Sequence, residues 1–443
     1  MLENTIELEA RQETLRKQAT EELSAVGPGE EDDPTSGFKR PAKTEQHTTT
    51  AHVQFVALFM PLFLAGWNDG TTGPLLPKIQ SAYDVNFTIV SLIFVFACLG
   101  FLTGSLINIP LSDKLGFGKV IVLGSIFQMV GYMLMVPALP FPAFVVAYAI
   151  NGVGVALQDA QANGFVASLD TNAEAKMGVL HAVYGAGALC SPLVATQFAQ
   201  QKHWSLHYLA SLGVAIINTL VLIGVFRFKR QDDCLRESGQ MISEYPTIEQ
   251  SIHGNGKFRQ ILCHKTVQLL ALYILIYVGV EVTTGSWIVT YIIQERHGGP
   301  SSGYISTGFF AGLMIGRVAL LWVNEKVGER RVIFLYTLLA IGLEMVIWFV
   351  PSLIGDAIAV SVIGILLGPM YPIAMNHAGR VLPRWILTGS IGWIAGFGQA
   401  GSAILPFMTG AISSKYGIKS MQPLYVSIFP YSNYILIFSL LVV

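Results

Sequence analysis

The chain has 443 residues, of which 52% are hydrophobic and only 12% charged, with a formal net charge of -1 and a mean hydropathy of +0.55. A soluble domain carries about 25% charged residues, so this composition excludes the soluble globular class and requires lipid as the solvent. Near neutrality without a Lys/Arg cluster excludes a nucleic-acid partner, because phosphate binding needs unbalanced positive charge.

Residues 1–50 are rich in Glu, Lys, Thr and Pro and lack a sustained apolar run, which predicts a disordered cytosolic tail with at most a solvated helix near Leu8–Glu22. The first apolar stretch begins near Ala51, too late for a secretory leader, so it is expected to stay as a membrane span. Spans are predicted at 52–80, 86–110, 118–138, 141–168, 173–200, 204–226, 266–294, 300–323, 331–350, 353–380, 384–411 and 422–443, each long enough to cross about 30 Å of hydrocarbon. This gives an all-α membrane protein of twelve helices in two six-helix bundles, 51–226 and 266–443, joined by a polar linker, 227–265.

With the N-terminus in the cytosol, the linker and the loops on its side hold Lys114, Lys119, Lys176, Lys326, Arg330, Arg331, Arg380 and Arg384, against Lys78, Lys202, Arg296, Lys415 and Lys419 opposite. The positive-inside rule then puts both termini in the cytosol. The plasma membrane is the expected location and a monomer the expected state. Asn86–Thr88 forms an Asn-x-Thr glycan acceptor triplet on the outer side, hard against the second span.

Cys98, Cys190, Cys234 and Cys263 form no CxxC pair and read as structural thiols. No GxxxxGK[ST] sequence and no ligand spacing for a metal occurs, so no cofactor is expected and the energy source is an ion gradient. One proton descending about 100 mV supplies roughly 2.3 kcal/mol, enough for a roughly fifty-fold concentration ratio of a neutral solute.

One ungapped offset of 212 residues lays the second half on the first. It aligns Asp69 with Glu281, Thr71 with Thr283, Thr72 with Thr284, Gly73 with Gly285, Gly100 with Gly312, Gly104 with Gly316, Lys114 with Lys326 and Gly116 with Gly328. Parallel repeats of six helices describe a duplicated transporter whose halves rock about a site near the midplane.

Ionisable residues inside spans cost several kcal/mol unless they face a cavity or a partner, which singles out Asp69, Asp159 and Glu281 as candidates for proton coupling. The pseudo-two-fold places Asp69 and Glu281 on opposite walls of one cavity. Asp159 and Asn163, spaced i,i+4, share a helix face and offer a titratable acceptor beside a fixed amide. Carboxyls in such a cavity gain and lose protons near physiological pH as access alternates. Around them Trp67, Asn68, Asp69, Asn163, Trp287, Tyr291, Trp393 and Gln399 are the groups expected to stack on and hydrogen-bond a hydroxylated ring. His181 and His377 read as satisfied core histidines, and Arg317 and Glu344 as snorkelling or paired within the second half.

SDKLGFGKVIV after the second span and NEKVGERRVIF after the eighth resemble the GxLaDRxGRR loop of the major facilitator superfamily, with Ile109 and Leu321 where its opening Gly belongs. The resemblance covers nearly everything from residue 51 onward. It implies the fold of that superfamily and a gating role for Asp113, Lys114, Gly116, Glu325, Lys326, Gly328 and Arg331, the acid capping a neighbouring helix end and latching the cytosolic gate. GWNDGTTGPLLPKIQ, GVALQDAQANGF and YVGVEVTTGSWIVTY are similar to the fucose permease and sodium/glucose-transporter-like branch and its fungal relatives. That likeness implies proton-coupled sugar transport with acids in helices 1 and 4. Asp159 falls at the helix-4 position, while Asp69 stands about one turn before the helix-1 position.

The fifth span keeps the spacing of a proton-antiporter motif at Gly178, Gly187, Ser191-Pro192 and Ala195-Thr196, which leaves open an exporter of drugs, toxins or secondary metabolites. A receptor or scaffold without transport would not need three intramembrane acids.

Overall fold

The computed structural model describes residues 45–169, 172–240 and 254–428. The tail before residue 45, part of the linker and most of the span expected at 422–443 lie outside these residues. Eleven long helices follow the expected spans in order: α1 Phe59–Tyr83, α2 Leu92–Leu115, α3 Phe117–Met135, α4 Phe141–Ala167, α5 Ala173–Ala199, α6 His207–Phe226, α7 Lys265–Glu295, α8 Tyr304–Ala319, α9 Glu329–Phe349, α10 Leu353–Leu367 and α11 Arg384–Tyr416. Among the described residues ten helices are long and apolar enough to cross a membrane, and α8 makes an eleventh if its bent continuation Leu321–Val327 is counted with it.

Departures from the expected spans have local causes. A polar helix, Glu45–Ala57, extends α1 on its N-terminal side. α8 bends by 51° before Leu321–Val327. α10 breaks at Gly368-Pro369 and resumes over Met370–Val381, because proline has no N–H for the helix ladder.

α1 packs on α5, α2 and α3 on α4, and α3 on α6; in the second half α7 packs on α11, and α8 and α9 on α10. The repeat is visible atom by atom. Gly100 and Gly104 let α2 approach the carbonyls of Ala149 and Val153 on α4. Their equivalents Gly312 and Gly316 let α8 approach Ser361 and Ile365 on α10, each pair again 212 residues on. Small residues are what such close helix contacts require in lipid. Gly116 (φ +80) and Gly328 (φ +88), equivalent again, end α2 and the α8 continuation in a left-handed conformation. Only glycine adopts that conformation without strain, so both loop glycines are turn requirements.

The halves meet through α1 on α7, α2 on α11 and α5 on α8. The contacts lie on the side away from the linker. There the Thr88 backbone N–H and hydroxyl both donate to Ser414 Oγ, at 2.8 and 2.9 Å, Gln197 reaches Tyr304, and Gln200 donates to the Pro300 carbonyl at 3.2 Å. These hydrogen bonds tie the halves together on the far side.

Cys98 and Cys234 are buried free thiols, as packing groups should be, whereas Cys263 is exposed. In the linker helix Gln231–Glu237, burial pushes the Cys234 thiol up to about 11.

Candidate functional site

Asp69 stands midway along α1, yet its side chain is exposed, because α1 lines the cleft between the halves. Its carboxylate accepts a hydrogen bond from the Tyr184 hydroxyl on α5 and lies in the field of Glu281 and Asp159. Beside it, the Asn68 side-chain oxygen accepts from Asn151 of α4 at 2.7 Å. On α4, Asn163 Nδ2 donates to Asp159 Oδ1 at 2.9 Å, so the expected i,i+4 pair forms. Tyr371, the repeat equivalent of Asp159, faces it electrostatically from the second half.

Glu281 on the α7 wall has a different partner. Arg317 of α8 comes within 3.8 Å of its carboxylate, and Tyr277 interacts with both while its hydroxyl donates to the Leu367 carbonyl at 3.0 Å. This resolves Arg317 as a paired residue. Its field also reaches His181, which is exposed on α5 and so is no packed core histidine.

The mirrored DGTTG and EVTTG stretches split by role. The acids face the cleft. Thr71 bonds Ser191 at 2.6 Å and His207 at 3.0 Å inside the first bundle, and Thr283 and Thr284 bond back to their own helix. Gly73 lies against the backbone of Gly285, which itself accepts from Ser306 Oγ at 3.0 Å. The motif thus serves the helix crossing as well as the cavity.

The aromatic candidates do not all gather here. Trp67 is buried, donating to Ser211 at 2.9 Å. Trp287 is fully buried on the closed side, donating to the Pro406 carbonyl at 3.2 Å and packed edge-on to Phe87. Tyr291 is buried beside the Arg296–Asp356 ion pair and donates to Ile347. Trp393 packs on Phe397 with its N–H toward Gln268, and Gln399 is half-buried, its carbonyl accepting from Cys98 of α2. The sequence reading missed Tyr184, Tyr277 and Tyr371, whose partners lie on other helices. Glu344 is buried, with one carboxylate oxygen lacking a partner, in the second bundle away from the cleft.

Of the loop residues, Asp113, Lys114, Glu325 and Arg331 are exposed, and no ion pair holds either acid among the described residues. Lys326 lies over the Trp322 ring at 4.1 Å, and Glu329 pairs with Arg380.

Comparison with known proteins is consistent with this geometry. The Major Facilitator Superfamily signature matches residues 58–406. The chain is 26% identical over 389 residues to "Bypass of stop codon protein 6" of Saccharomyces cerevisiae, covering 83% of this chain and 78% of that one. It is 22% identical over 344 residues to the glucose/mannose transporter GlcP of Bacillus subtilis, covering 77% and 83%. Among solved structures the fold is similar to the D-xylose-proton symporter, at TM-score 0.70, 10% identity and coverage of 87% and 96%. It is also similar to the fucose:proton symporter FucP of E. coli, at TM-score 0.58, 18% identity and coverage of 87% and 98%.

Proposed function

Because the chain belongs to the Major Facilitator Superfamily, we propose that it is a secondary transporter for a hexose or similar polyhydroxylated solute, driven by proton entry and working by alternating access. The observation that carries this reading is the pair of carboxyls within membrane-length helices, Asp69 and Asp159, each in the other's field with neutral donors, Tyr184 and Asn163, on their oxygens. Lacking a cation, each such carboxyl is costly in its charged form, and a proton is the smallest partner that relieves it. Asn68 and Asn163, with the tyrosines around them, supply the fixed polar groups a sugar ring needs. The sugar transporters among its relatives support the solute class.

In this reading the linker side is cytosolic, the membrane is the plasma membrane, and a single chain suffices because it carries both walls of the cleft. The state described releases solute inward. Loading from outside requires the contacts at Gly73–Gly285 and Thr88–Ser414 to part. Within the antiporter-like stretch of α5, Gly187 lies against Phe63 of α1; that packing accounts for its small residue without export.

The test is uptake of labelled glucose, galactose and fucose into proteoliposomes with an imposed proton gradient. Sugar accumulation that collapses with a protonophore is the expected result. Outward movement of apolar compounds, with no sugar flux, would replace this reading by the exporter.

A further inference from the structure

The repeat-equivalent acids Asp69 and Glu281 stand in different surroundings. Asp69 has a neutral tyrosine hydroxyl as its donor; Glu281 has a guanidinium at 3.8 Å, with its side chain 14% exposed and that of Arg317 25% exposed. The first half has no counterpart to this arrangement. The offset that maps Asp69 onto Glu281 maps Ser105 onto Arg317 and Ala65 onto Tyr277. The cation therefore stands on one wall only.

We infer that Arg317 is the fixed countercharge of Glu281, so that this pair keeps the second-half wall neutral without a proton and leaves Asp69 and Asp159, both on the first half, as the groups that load and release protons. The inference rests on the transport reading above and refines it. The groups facing Glu281 are Tyr277 on its own helix, Arg317 on α8, and Tyr184 and Asp69 across the cleft; Tyr371 stands in its field from the continuation of α10. Among these Arg317 is the single permanent cation. Its Nε is buried without an acceptor, and Glu281 is the acid whose field acts on the guanidinium. Arg317 is a positioning residue in this scheme and does not itself touch the solute.

Removing one partner of a partly buried pair leaves the other charge uncompensated, whereas removing both does not, which yields a decisive set of variants: E281Q, R317Q and E281Q/R317Q. The measurement is equilibrium exchange of labelled glucose in proteoliposomes between pH 5 and 8, together with thermal unfolding of each purified variant. Each single substitution is expected to lower exchange by about tenfold or more, while the double variant recovers most of that loss and keeps the wild-type pH profile. Active E281Q with exchange no longer dependent on pH would make Glu281 a proton carrier and overturn the inference. A double variant as inactive as R317Q, yet as thermostable as wild type, would place Arg317 on the solute and overturn it as well. If the wild type exchanges no sugar, the transport reading fails by itself. The unfolding midpoints then decide the pair: lowered in both single variants and restored in the double supports it, and additive losses refute it.

Discussion

Gly73 and Gly285 occupy the same place in the two repeats and touch each other, the carbonyl of the second lying where a Cβ on the first would have to stand. This is the point where α1 and α7 cross and the halves come into backbone contact. Gly73→Leu is expected to hold that side apart. Overpacking costs about 1–3 kcal/mol, which shifts the closed-to-open ratio by about five- to a hundredfold. Turnover should fall accordingly, and a membrane-impermeant thiol reagent added outside should gain access to a cysteine placed at Ser306. Unchanged turnover and no gain in labelling would show that the crossing is not part of the seal.

A second expectation concerns Thr88 and Ser414, whose side-chain oxygens are 2.9 Å apart across the halves. In a background without the four native cysteines, T88C/S414C should form a disulfide under mild oxidation and stop transport, with reductant restoring it. Full transport by the oxidised, cross-linked protein would mean that the far side need not open.

Asp159→Asn should preserve the hydrogen-bonding shape beside Asn163 while removing the group that gains and loses a proton. Solute exchange should persist, accumulation against a gradient should disappear, and affinity should become insensitive to pH between about 5 and 8. Proton-driven accumulation by this variant would move the coupling site to Asp69.

For the loops, Asp113 and Glu325 are exposed, so neutralising them costs the state described little, and any latch they form belongs to the opposite one. Asp113→Asn or Glu325→Gln should therefore lower turnover while KM stays within about threefold, because the inward/outward equilibrium shifts without a change at the solute site. A large rise in KM at normal turnover would contradict this.

Topology is checked separately. Tags placed at Gly29 and Gly254 should be protected from protease in intact cells, as the Lys/Arg bias requires. Cleavage from outside would invert the assignment of both faces.

The fold was largely legible because its signals are local or repeated. Apolar runs of membrane length announce helices, and the 212-residue register carries through to paired contacts such as Gly100 on Ala149 and Gly312 on Ser361. The acids were legible for the same reason, since a carboxyl in an apolar run needs an explanation. Their partners were not. Tyr184 lies 115 residues from Asp69, and nothing local in the chain says which of its sixteen tyrosines a helix crossing will bring to that carboxylate. Trp287 misled for a related reason: helical spacing gives a face, but only the state of the cleft decides whether that face is open or sealed. The break in α10 was not expected over 353–380, although Gly368-Pro369 carries the local signal for it.

The triplet at Asn86 gains a meaning from how it is folded. Asn86 is the N-cap of a short helix, its side-chain oxygen accepting from the Ile89 amide at 2.8 Å, and Thr88 is committed to Ser414 of the other half. With the linker side in the cytosol, this stretch faces the compartment where glycans are attached; Asn86 is exposed there, and its capping bond uses the side-chain oxygen, not the amide nitrogen that would carry a sugar. The Thr88 hydroxyl is the part of the triplet that the contact between the halves engages, and it is released only when that contact parts.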